Sequence, residues 1–373
     1  MVYRTIGLMS GSSLDGLDIA FVELHENSGS WNFEIIAAGC YEYSAEWKEK
    51  LQNAISLNAL DYQLLHSDYG HYLGQQVNRF IADNNLQFQV GLIASHGHTT
   101  FHLPQKRMTA QLGNGASIAA ETGLPVVTEL RALDVAFGGQ GAPIVPIGEK
   151  LLLKGYDMFL NLGGIANISF NSDPYIAFDI CPANRVLNML AGFTNKEYDE
   201  GGQMAAMGNI HEGLLQKLND LGYYKQSYPK SLANSFGTDD VIPLIKSFGL
   251  PHTDGLRTYV EHIVVQVRSA IMLNRRNFSE GSNRESSIKE NRKMLVTGGG
   301  AFNRFLIERL SQEMKSLNIE VVVPEEKIVS FKEALIMALI GVLRWRQEYN
   351  IMASVTGAQR DSIGGAVWIG QEA

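Results

Sequence analysis

Three glycine-rich turns, each placed directly after an apolar segment, are the part of this sequence best suited to chemistry. They read GLMSGSSLDGLD from Gly7, NLGGIANIS from Asn161 and VTGGGAFN from Val296. Closely spaced backbone N–H groups with little side-chain bulk can hold the oxygens of a phosphate. The alternative is an ordinary hairpin, in which glycine only supplies a positive φ. No segment matches GxxxxGK[ST], so the sequence does not indicate a P-loop NTPase.

The first turn carries side chains that extend this chemistry. Ser12 and Ser13 add hydroxyl donors, and Asp15 and Asp18 could hold a metal ion or orient the turn. Three turns of this kind suit a nucleotide held in a cleft between two α/β domains. The first two would face its phosphates and the third its nucleoside. GGGAFN departs from GxGxxG, which argues against a Rossmann dehydrogenase.

A second candidate is the HGH sequence of His96 and His98, which follows the predicted buried strand Val90–Ser95. Two histidines at this spacing could bind a metal ion. His102 follows as a third candidate, but the remaining histidines are dispersed and none completes an evident ligand pattern. A structural role for the pair is the alternative.

The elements that must position these residues alternate between strand and helix along the chain. Ile6–Met9 and Ile19–Leu24 predict strands, and the apolar spacing after Ser44 and after Asp61 predicts helices. The segment Met158–Phe170 repeats the strand, glycine turn and strand of the N-terminus without sequence identity. This repetition indicates a duplicated α/β architecture.

The chain has 373 residues, which is more than one hydrophobic core usually holds, so we expect two domains. The glycine- and proline-rich stretch Phe137–Pro146 is a candidate junction or hinge. We assign residues 1–140 with about 355–373 to an N-terminal domain, and about 141–354 to a C-terminal domain. A serine-rich, charged segment near 275–293 is predicted to be an exposed loop.

Composition narrows the range of partners. The formal net charge of −8 and the pI near 5.6 argue against nucleic acid or an anionic membrane as a partner. The two cysteines, Cys40 and Cys181, show no paired spacing, which fits a reducing compartment. The longest apolar run, Ala334–Leu343, is too short to span a membrane and predicts a buried helix. Because the N-terminus also lacks a signal-peptide pattern, we expect a cytoplasmic protein.

An ordered set of motifs over nearly the whole chain resembles the anhydro-N-acetylmuramic acid kinases. Besides the three turns, the set comprises SHGHTTFHLP, QLGNGASIAAETG, GGQGAP, YDEGGQMA, PKS and SVTGA. The resemblance implies an α/β, two-domain actin-like ATPase fold, made of two ribonuclease H-like halves with a central cleft for nucleotide and sugar. It implies ATP and Mg²⁺ as cofactors and an anhydrosugar as the small-molecule substrate. A homodimer is common in the family.

The resemblance also implies a reaction and a role for each matching residue. In the family, ATP and water together open the 1,6-anhydro ring of a cell-wall sugar, and the released 6-oxygen accepts the γ-phosphoryl group. Asp179, in AFDICPAN, has the position of the general base; alone it would suggest a carboxylate that caps a turn. The nucleotide-binding positions implied are Gly11, Ser12, Ser13, Leu14, Asp15, Gly16, Leu17, Asp18, Gly163, Gly164, Gly298, Gly299, Gly300, Asn303 and Glu333. The substrate-binding positions implied are Ser95, His96, His98, Arg131 and Asp134.

Each of these roles has a plainer alternative. His96 and His98 are best interpreted as a wall of the sugar site, then as structural histidines and last as metal ligands, so no metal ligand is assigned. Arg131 suits the planar lactyl carboxylate of a muramic acid, but it could form an ion pair with Asp134 or Glu129. Glu333 also fits the first turn of a buried helix. Lys230, in PKS, is a weaker substrate candidate, since lone lysines are usually solvated.

Several positions depart from the family pattern close to the chemistry. The family's FDTGPGN is Phe178–Asn184 here, so that Ile180-Cys181 replaces Thr-Gly and Ala183 replaces a glycine. Asn114 stands where the family has an aspartate, and His98 where it has a glutamine. These changes leave two alternatives open, a kinase of another sugar or anhydrosugar and a non-catalytic ligand-binding homologue.

Overall fold

The computed structural model describes residues 1–11, 14–228, 230–233, 235–274 and 292–370. The chain divides into two compact units. The first comprises Met1–Lys154 with Phe331–Ala373, and the second comprises Gly155–Ser330. The predicted boundaries near 140 and 354 therefore differ from the observed ones by 14 and 24 residues.

The first unit is built on one six-stranded sheet. Its strands are β1 (Val2–Ser10), β2 (Gly16–Asn27), β3 (Ser30–Glu42), β4 (Leu92–Ser95), β7 (Val126–Thr128) and β13 (Ala366–Trp368), with the hairpin β5 (His98–Leu103) and β6 (Met108–Leu112) beside it. Its helices are α1 (Ala45–Asn53), α2 (Ala59–Asp83), α3 (Gly115–Thr122), α4 (Ala132–Ala136), α5 (Pro146–Leu152) and α13 (Ala353–Thr356). The strand order is β13-β7-β4-β1-β2-β3, in which β4 and β7 run parallel to β1.

The second unit has a five-stranded sheet in the order β10-β9-β8-β11-β12. Its strands are β8 (Met158–Leu162), β9 (Ile165–Phe170), β10 (Ile176–Pro182), β11 (Arg292–Thr297) and β12 (Ile319–Val322). Its helices are α6 (Asn184–Gly192), α7 (Gln203–Met207), α8 (Glu212–Asn219), α9 (Ile242–Ser247), α10 (His252–Asn274) and α11 (Arg304–Lys315). Helix α12 (Glu326–Trp345) contains the division after Ser330.

The two sheets repeat one topology. In each, three consecutive strands form an antiparallel meander, and the first strand of that meander pairs on its other side with a parallel strand. A further parallel strand follows in both sheets. The predicted duplication of an α/β architecture is therefore confirmed, although the two halves share no evident sequence identity.

Local sequence signals account for the main helices. The hydroxyl of Ser44 accepts a hydrogen bond from the backbone N–H of Trp47 and so caps α1, as the sequence predicts. Helix α2 buries one face at the expected helical spacing, and Tyr69 and Phe80 on that face are almost fully enclosed. The apolar run Ala334–Leu343 lies buried in α12. No helix among the described residues has both the length and the apolar character needed to cross a membrane.

The glycine-rich stretch Phe137–Pro146 is part of the first unit rather than a boundary. Its backbone is tied to that unit, because the N–H of Gly141 donates to Asp134 and that of Gln140 donates to the carbonyl of Thr356. The stretch therefore packs with the first unit beyond residue 140.

A buried ion pair explains why further residues belong to the first unit. Lys332 and Glu149 lie 3.0 Å apart, and each side chain is only 4% exposed. The pair joins α12 to α5, so that residues 141–154 and 331–354 pack with the N-terminal sheet. Each of the two charges requires the other, because a single unpaired charge in this buried environment would destabilise the fold.

The polar segment predicted near 275–293 lies outside the described residues from 275 to 291. Its last two residues differ from the prediction, because Arg292 and Lys293 begin β11. They pair in register with Ile319 and Glu320 of β12. Because both side chains are charged, composition alone did not indicate that a strand begins here.

Candidate functional site

The first glycine turn joins β1 to β2. Gly11 and Leu14 bracket two serines, Ser12 and Ser13, that lie outside the described residues. Leu14 adopts a left-handed backbone conformation with a φ of 57°. At Gly16 a Cβ atom would lie 2.5 Å from the sulfur of Cys40, so the close approach of β3 requires glycine at this position.

Two acidic residues of this turn lie close to a third from α12. The carboxylate of Asp18 accepts a hydrogen bond from Cys40 and experiences the charges of Asp15 and Glu333. Burial, and to a smaller extent the charges of the two neighbouring carboxylates, raise the pKa of Asp18 to about 6. The carboxylate of Asp15 also accepts a hydrogen bond from the N–H of Gly16. Leu17, in contrast, is a buried core residue.

The predicted sugar-site residue His98 is connected to the start of the same turn. Its Nδ1 lies 3.1 Å from the hydroxyl of Ser10, the residue before Gly11. Ser10 accepts a hydrogen bond of 2.8 Å from Tyr43, whose own oxygen lies 2.6 Å from the hydroxyl of Tyr69. Since Tyr43 donates its proton to Ser10, Tyr69 donates to Tyr43. The oxygen of Ser10 has a second lone pair, so its hydroxyl can either donate to His98 or accept from it.

This chain of hydrogen bonds holds the ring of His98 through Nδ1. Burial lowers the pKa of the ring. Tyr43 and Tyr69 were not predicted as site residues, because their separation in sequence from His98 gave no signal. Ser10, in contrast, belongs to the first glycine motif.

The contacts of the neighbouring His96 determine its tautomer. The Nε–H of Arg131 donates to Nε2 of His96 at 2.8 Å, which leaves Nδ1 to donate to the carbonyl of Gly97 at 2.8 Å. Burial and, to a smaller extent, the adjacent guanidinium of Arg131 lower the pKa of His96 to about 3. Because both ring nitrogens are engaged, His96 is not available as a metal ligand. The third candidate, His102, contacts Thr109 on the β5–β6 hairpin.

Arg131 and Asp134 contact the same peptide segment. Arg131 donates to the carbonyl of Gly141, while Asp134 accepts from the N–H of Gly141 at 2.7 Å and from the hydroxyl of Thr356 at 2.7 Å. Within the part of the chain that the structure describes, no ion pair joins Arg131 to Asp134 or to Glu129. Burial lowers the pKa of Arg131 to about 10, so it stays cationic at neutral pH.

The remaining predicted substrate residue, Ser95, ends β4 and shapes the loop that carries the histidines. Its hydroxyl accepts a hydrogen bond of 3.2 Å from the N–H of Gly97, whose φ is 71°. The structure therefore brings together Ser95, His96, His98 and Arg131 at the end of β4, next to the first glycine turn.

The other two glycine turns adjoin each other in the second unit. At Gly298, which has a φ of 80°, a Cβ atom would lie 2.5 Å from the Asn161 side chain. At Gly300 it would lie 2.6 Å from that of Leu162. By contrast, a Cβ at Gly163 or Gly164 would meet nothing closer than 3.5 Å. Packing therefore explains two of these glycines, and it leaves Gly163 and Gly164 without a packing reason.

Helix α6 starts against the second turn. The carbonyls of Gly163 and Gly164 accept hydrogen bonds from the N–H groups of Asn184 and Ala183. The side chain of Asn184 donates to the carbonyl of Leu162 and lies beside Gly299 as well. Asn303 caps α11, because its side chain accepts from the N–H of Leu306 at 3.0 Å. That side-chain oxygen is therefore committed to the helix.

Asp179 lies near the end of β10, at a β-bulge. One carboxylate oxygen accepts hydrogen bonds from the N–H of Leu232 at 2.9 Å and from the hydroxyl of Ser231 at 3.1 Å. Burial raises the pKa of Asp179, and these two hydrogen bonds offset part of that increase. Tyr223 donates to the backbone carbonyl of Asp179 at 2.7 Å. Among the three residues that make these contacts, only Ser231 belongs to a motif noted in the sequence, PKS. In that motif the sequence analysis named Lys230 as the candidate and not Ser231.

Two replacements in the family motif are buried. Ile180 and Cys181 are 2% and 0% exposed, and both belong to the core of the second unit. Burial raises the pKa of the Cys181 thiol far above its usual range, which makes it an unreactive core residue. Ala183 is fully buried as well. The extra bulk of Ile180-Cys181 is thus accommodated by the core.

The replacement at Asn114 acts as a helix cap. The side chain of Asn114 accepts a hydrogen bond from the N–H of Ser117 at 2.9 Å and caps α3. An amide fulfils this role as well as an aspartate does. The role of every residue described in this site remains a prediction.

Duplicated α/β halves, with glycine turns after strands of both, define a two-unit protein of mixed α/β class. Residues 3–370 match the model of the family described as anhydro-N-acetylmuramic acid kinase. A protein of that name from Francisella tularensis subsp. novicida is 32% identical, over 97% of this chain and 97% of its own. Another of that name, from Sulfurimonas denitrificans, is 30% identical over 97% and 98%. The chain therefore belongs to the anhydro-N-acetylmuramic acid kinase family.

A more distant likeness exists among solved structures. The activator of the 2-hydroxyisocaproyl-CoA dehydratase from Clostridium difficile, with bound ADPNP, superposes with a TM-score of 0.45 at 13% identity. The match covers 92% of this chain and 96% of that one. At this distance the likeness supports no argument about function.

Proposed function

We propose that this chain is an ATP-dependent kinase that opens the anhydro ring of 1,6-anhydro-N-acetylmuramic acid and phosphorylates its 6-oxygen. The family supports the substrate and the reaction class. The observation that carries the proposal is Asp179, a carboxylate with a raised pKa that Ser231 and Leu232 hold in place. The proposed location is the cytoplasm, and the homodimer that is common in the family is proposed here as well.

The proposed reaction balances in two linked displacements. Asp179 takes a proton from water as the water oxygen bonds to the anomeric carbon, and the bond from that carbon to the 6-oxygen breaks. The 6-oxygen then bonds to the γ-phosphorus of ATP, and the bond to the β-phosphate oxygen breaks. A carboxylate whose pKa is raised is a better base for the first step, provided that it is still ionised at the working pH.

Arg131 and His98 are the proposed sugar-binding groups. Arg131 is cationic and is held by His96 and Gly141, so its remaining N–H donors suit a carboxylate such as the lactyl group. His98 is held in place through Nδ1 by the hydroxyl of Ser10. Asp134 is fully buried and accepts hydrogen bonds from Gly141 and Thr356. It is proposed to position the loop that carries Arg131 and not to contact the sugar directly.

The residues present suit a Mg²⁺ ion together with ATP. Asp18, Asp15 and Glu333 offer only oxygen ligands, and the mutual repulsion of their charges would be relieved by a cation. Among the described residues no three His, Cys, Asp or Glu side chains form a ready metal cluster. Magnesium typically uses one or two carboxylates together with phosphate oxygens and water. The ion would neutralise the charge of the phosphates. Asp18 and Glu333 are the proposed protein ligands.

Gly163 and Gly164 are proposed to admit phosphate oxygens close to their backbone. This would account for glycine at two positions where neither packing nor φ requires it. Gly298, Gly299 and Gly300, on the adjacent turn, are proposed to contact the nucleoside. Gly11, Ser12 and Ser13 complete the proposed set from the first turn.

The experiment that tests the function is ADP release from Mg-ATP in the presence of a panel of sugars. The panel contains 1,6-anhydro-N-acetylmuramic acid, a second anhydrosugar and N-acetylmuramic acid. Turnover of the first alone supports the proposal, and Asp179→Asn should abolish it. Turnover of N-acetylmuramic acid only would refute the ring-opening reaction. Tight binding of sugar and ATP without turnover would indicate a non-catalytic homologue.

A further inference from the structure

A concave site in the second unit has no part in the proposed reaction. It is a pocket of about 310 Å³ between β10, the C-terminal part of α10 and the segment after Tyr223. Phe178 and Ile180 line it, whereas Asp179 does not. Small-molecule sites typically start at roughly 300 Å³, so the pocket can accept a ligand of modest size.

The pocket is lined by cations without acids. Two of its lining residues are lysines, Lys225 and Lys230, and none of the described lining residues is Asp or Glu. This is unexpected in a chain with a net charge of −8. Such a lining favours a negatively charged ligand.

Among the described residues, Lys230 is the lysine of this pocket that forms no ion pair. Its ammonium lies 4.5 Å from the ring centre of Tyr223 and 5.8 Å from that of Phe178. No ion pair involves Lys230 among the described residues, whereas Lys225 lies 3.7 Å from Asp220 and is 67% exposed. Burial lowers the pKa of Lys230, as expected for an ammonium that is partly removed from water. An anionic ligand would supply the missing partner charge.

The rest of the lining suits a flat organic ring. Phe178, Tyr224 and Tyr228 provide aromatic surface, and Ser227 and Ser269 provide hydroxyl groups at the rim. Aromatic faces bind rings through stacked or edge contacts, and hydroxyl groups can donate to an anion. This combination of groups favours binding of an anion that carries a ring over binding of a bare inorganic ion.

We propose that this pocket is a binding site for a small organic anion that carries a ring, with Lys230 as its counter-ion. The site is independent of the reaction, although Ser231, the next residue, holds Asp179. Its occupancy is therefore measured without ATP or sugar. Failure of the kinase assay would leave this proposal untouched, and the reverse holds as well.

The test is isothermal titration of the full chain with benzoate, phenyl phosphate and benzyl alcohol as probes. We expect saturable binding of at least one of the two anions, and at least tenfold weaker binding of the neutral alcohol. Lys230→Met should weaken anion binding at least tenfold, and Lys230→Arg should retain it. Lys225→Met is the matched control and should leave the affinity within twofold.

Thermal unfolding of each variant shows whether it is folded. Ser269→Phe, which fills the pocket from α10, should abolish binding while the chain stays folded. Absence of binding by both anions would overturn the proposal. Equal affinity of the parent and Lys230→Met would overturn the role of Lys230, and binding that survives Ser269→Phe would place the anion elsewhere.

Discussion

The guanidinium of Arg131 donates from Nε to Nε2 of His96 at 2.8 Å, and this contact determines the tautomer of the ring. His96 must then donate from Nδ1 to Gly97, while Nδ1 of its neighbour His98 contacts the hydroxyl of Ser10. Burial lowers the pKa of both rings. The HGH sequence is suited to fixing hydrogen-bond donors rather than to binding a metal ion.

Removal of the His96 acceptor should weaken binding of the sugar and spare the chemical step. We expect His96→Ala to raise KM for the anhydrosugar about tenfold, equivalent to roughly 1.4 kcal/mol, because Arg131 loses the group that orients it. The value of kcat should change less than threefold. Steady-state kinetics measure both, with His102→Ala as the control, and an unchanged KM would contradict the positioning role.

The glycine turns offer a matched pair of substitutions. Gly163→Ala should leave the free energy of unfolding within about 0.5 kcal/mol, because a Cβ there meets only ordinary contacts. It should nevertheless raise KM for ATP. Gly298→Ala should destabilise the protein by about 1–3 kcal/mol, because it combines a positive φ with a close approach to Asn161. Urea unfolding and ATP kinetics separate the two effects, and an unaltered KM in Gly163→Ala would remove the phosphate role.

Loss of the Ser231 hydroxyl should change the pH dependence of kcat. The hydrogen bond from Ser231 lowers the pKa of Asp179, so its removal raises that pKa further. Because the base must be ionised, the acidic limb of the kcat profile should move to higher pH in Ser231→Ala. Ser247→Ala, which removes an exposed hydroxyl elsewhere in the same unit, is the control. A shift to lower pH would contradict this account.

Asp18 should reduce stability at neutral pH. Its pKa is raised to about 6 in the folded chain from an unfolded value near 3.8, so ionisation disfavours the folded state above this range. Asp18→Asn should therefore increase the free energy of unfolding at pH 7.5 by about 1–3 kcal/mol. The gain should shrink as the pH falls toward 4. Urea titrations at both pH values test this, and lower stability of the variant at pH 7.5 would count against the burial of a strained charge.

The sequence was most informative where local patterns determine structure. Ser44 could be predicted as a helix start because the capping interaction spans only three residues. The duplicated sheets could be predicted from the repeated strand, turn and strand pattern around Gly11 and Gly163. Apolar segments placed His96 and the glycine turns after predicted strands, as the structure has them.

The structure adds contacts between distant positions. Asp179 and Ser231 are 52 positions apart, and Glu149 and Lys332 are 183 apart. No local periodicity reports such pairs, because they depend on how whole elements pack. The packing of residues 141–154 with the first unit was missed for the same reason, since the burial of Glu149 against Lys332 could not be deduced from composition.

The central claim is that Asp179 directs water to the anomeric carbon while the 6-oxygen is phosphorylated. It is tested most directly by mass spectrometry of the product formed from Mg-ATP and 1,6-anhydro-N-acetylmuramic acid in ¹⁸O-enriched water, sampled at early times. The account predicts a product that has gained one phosphoryl group and one labelled water, and no product with Asp179→Asn. A phosphorylated sugar that has gained no water, or full activity of the variant, would contradict it.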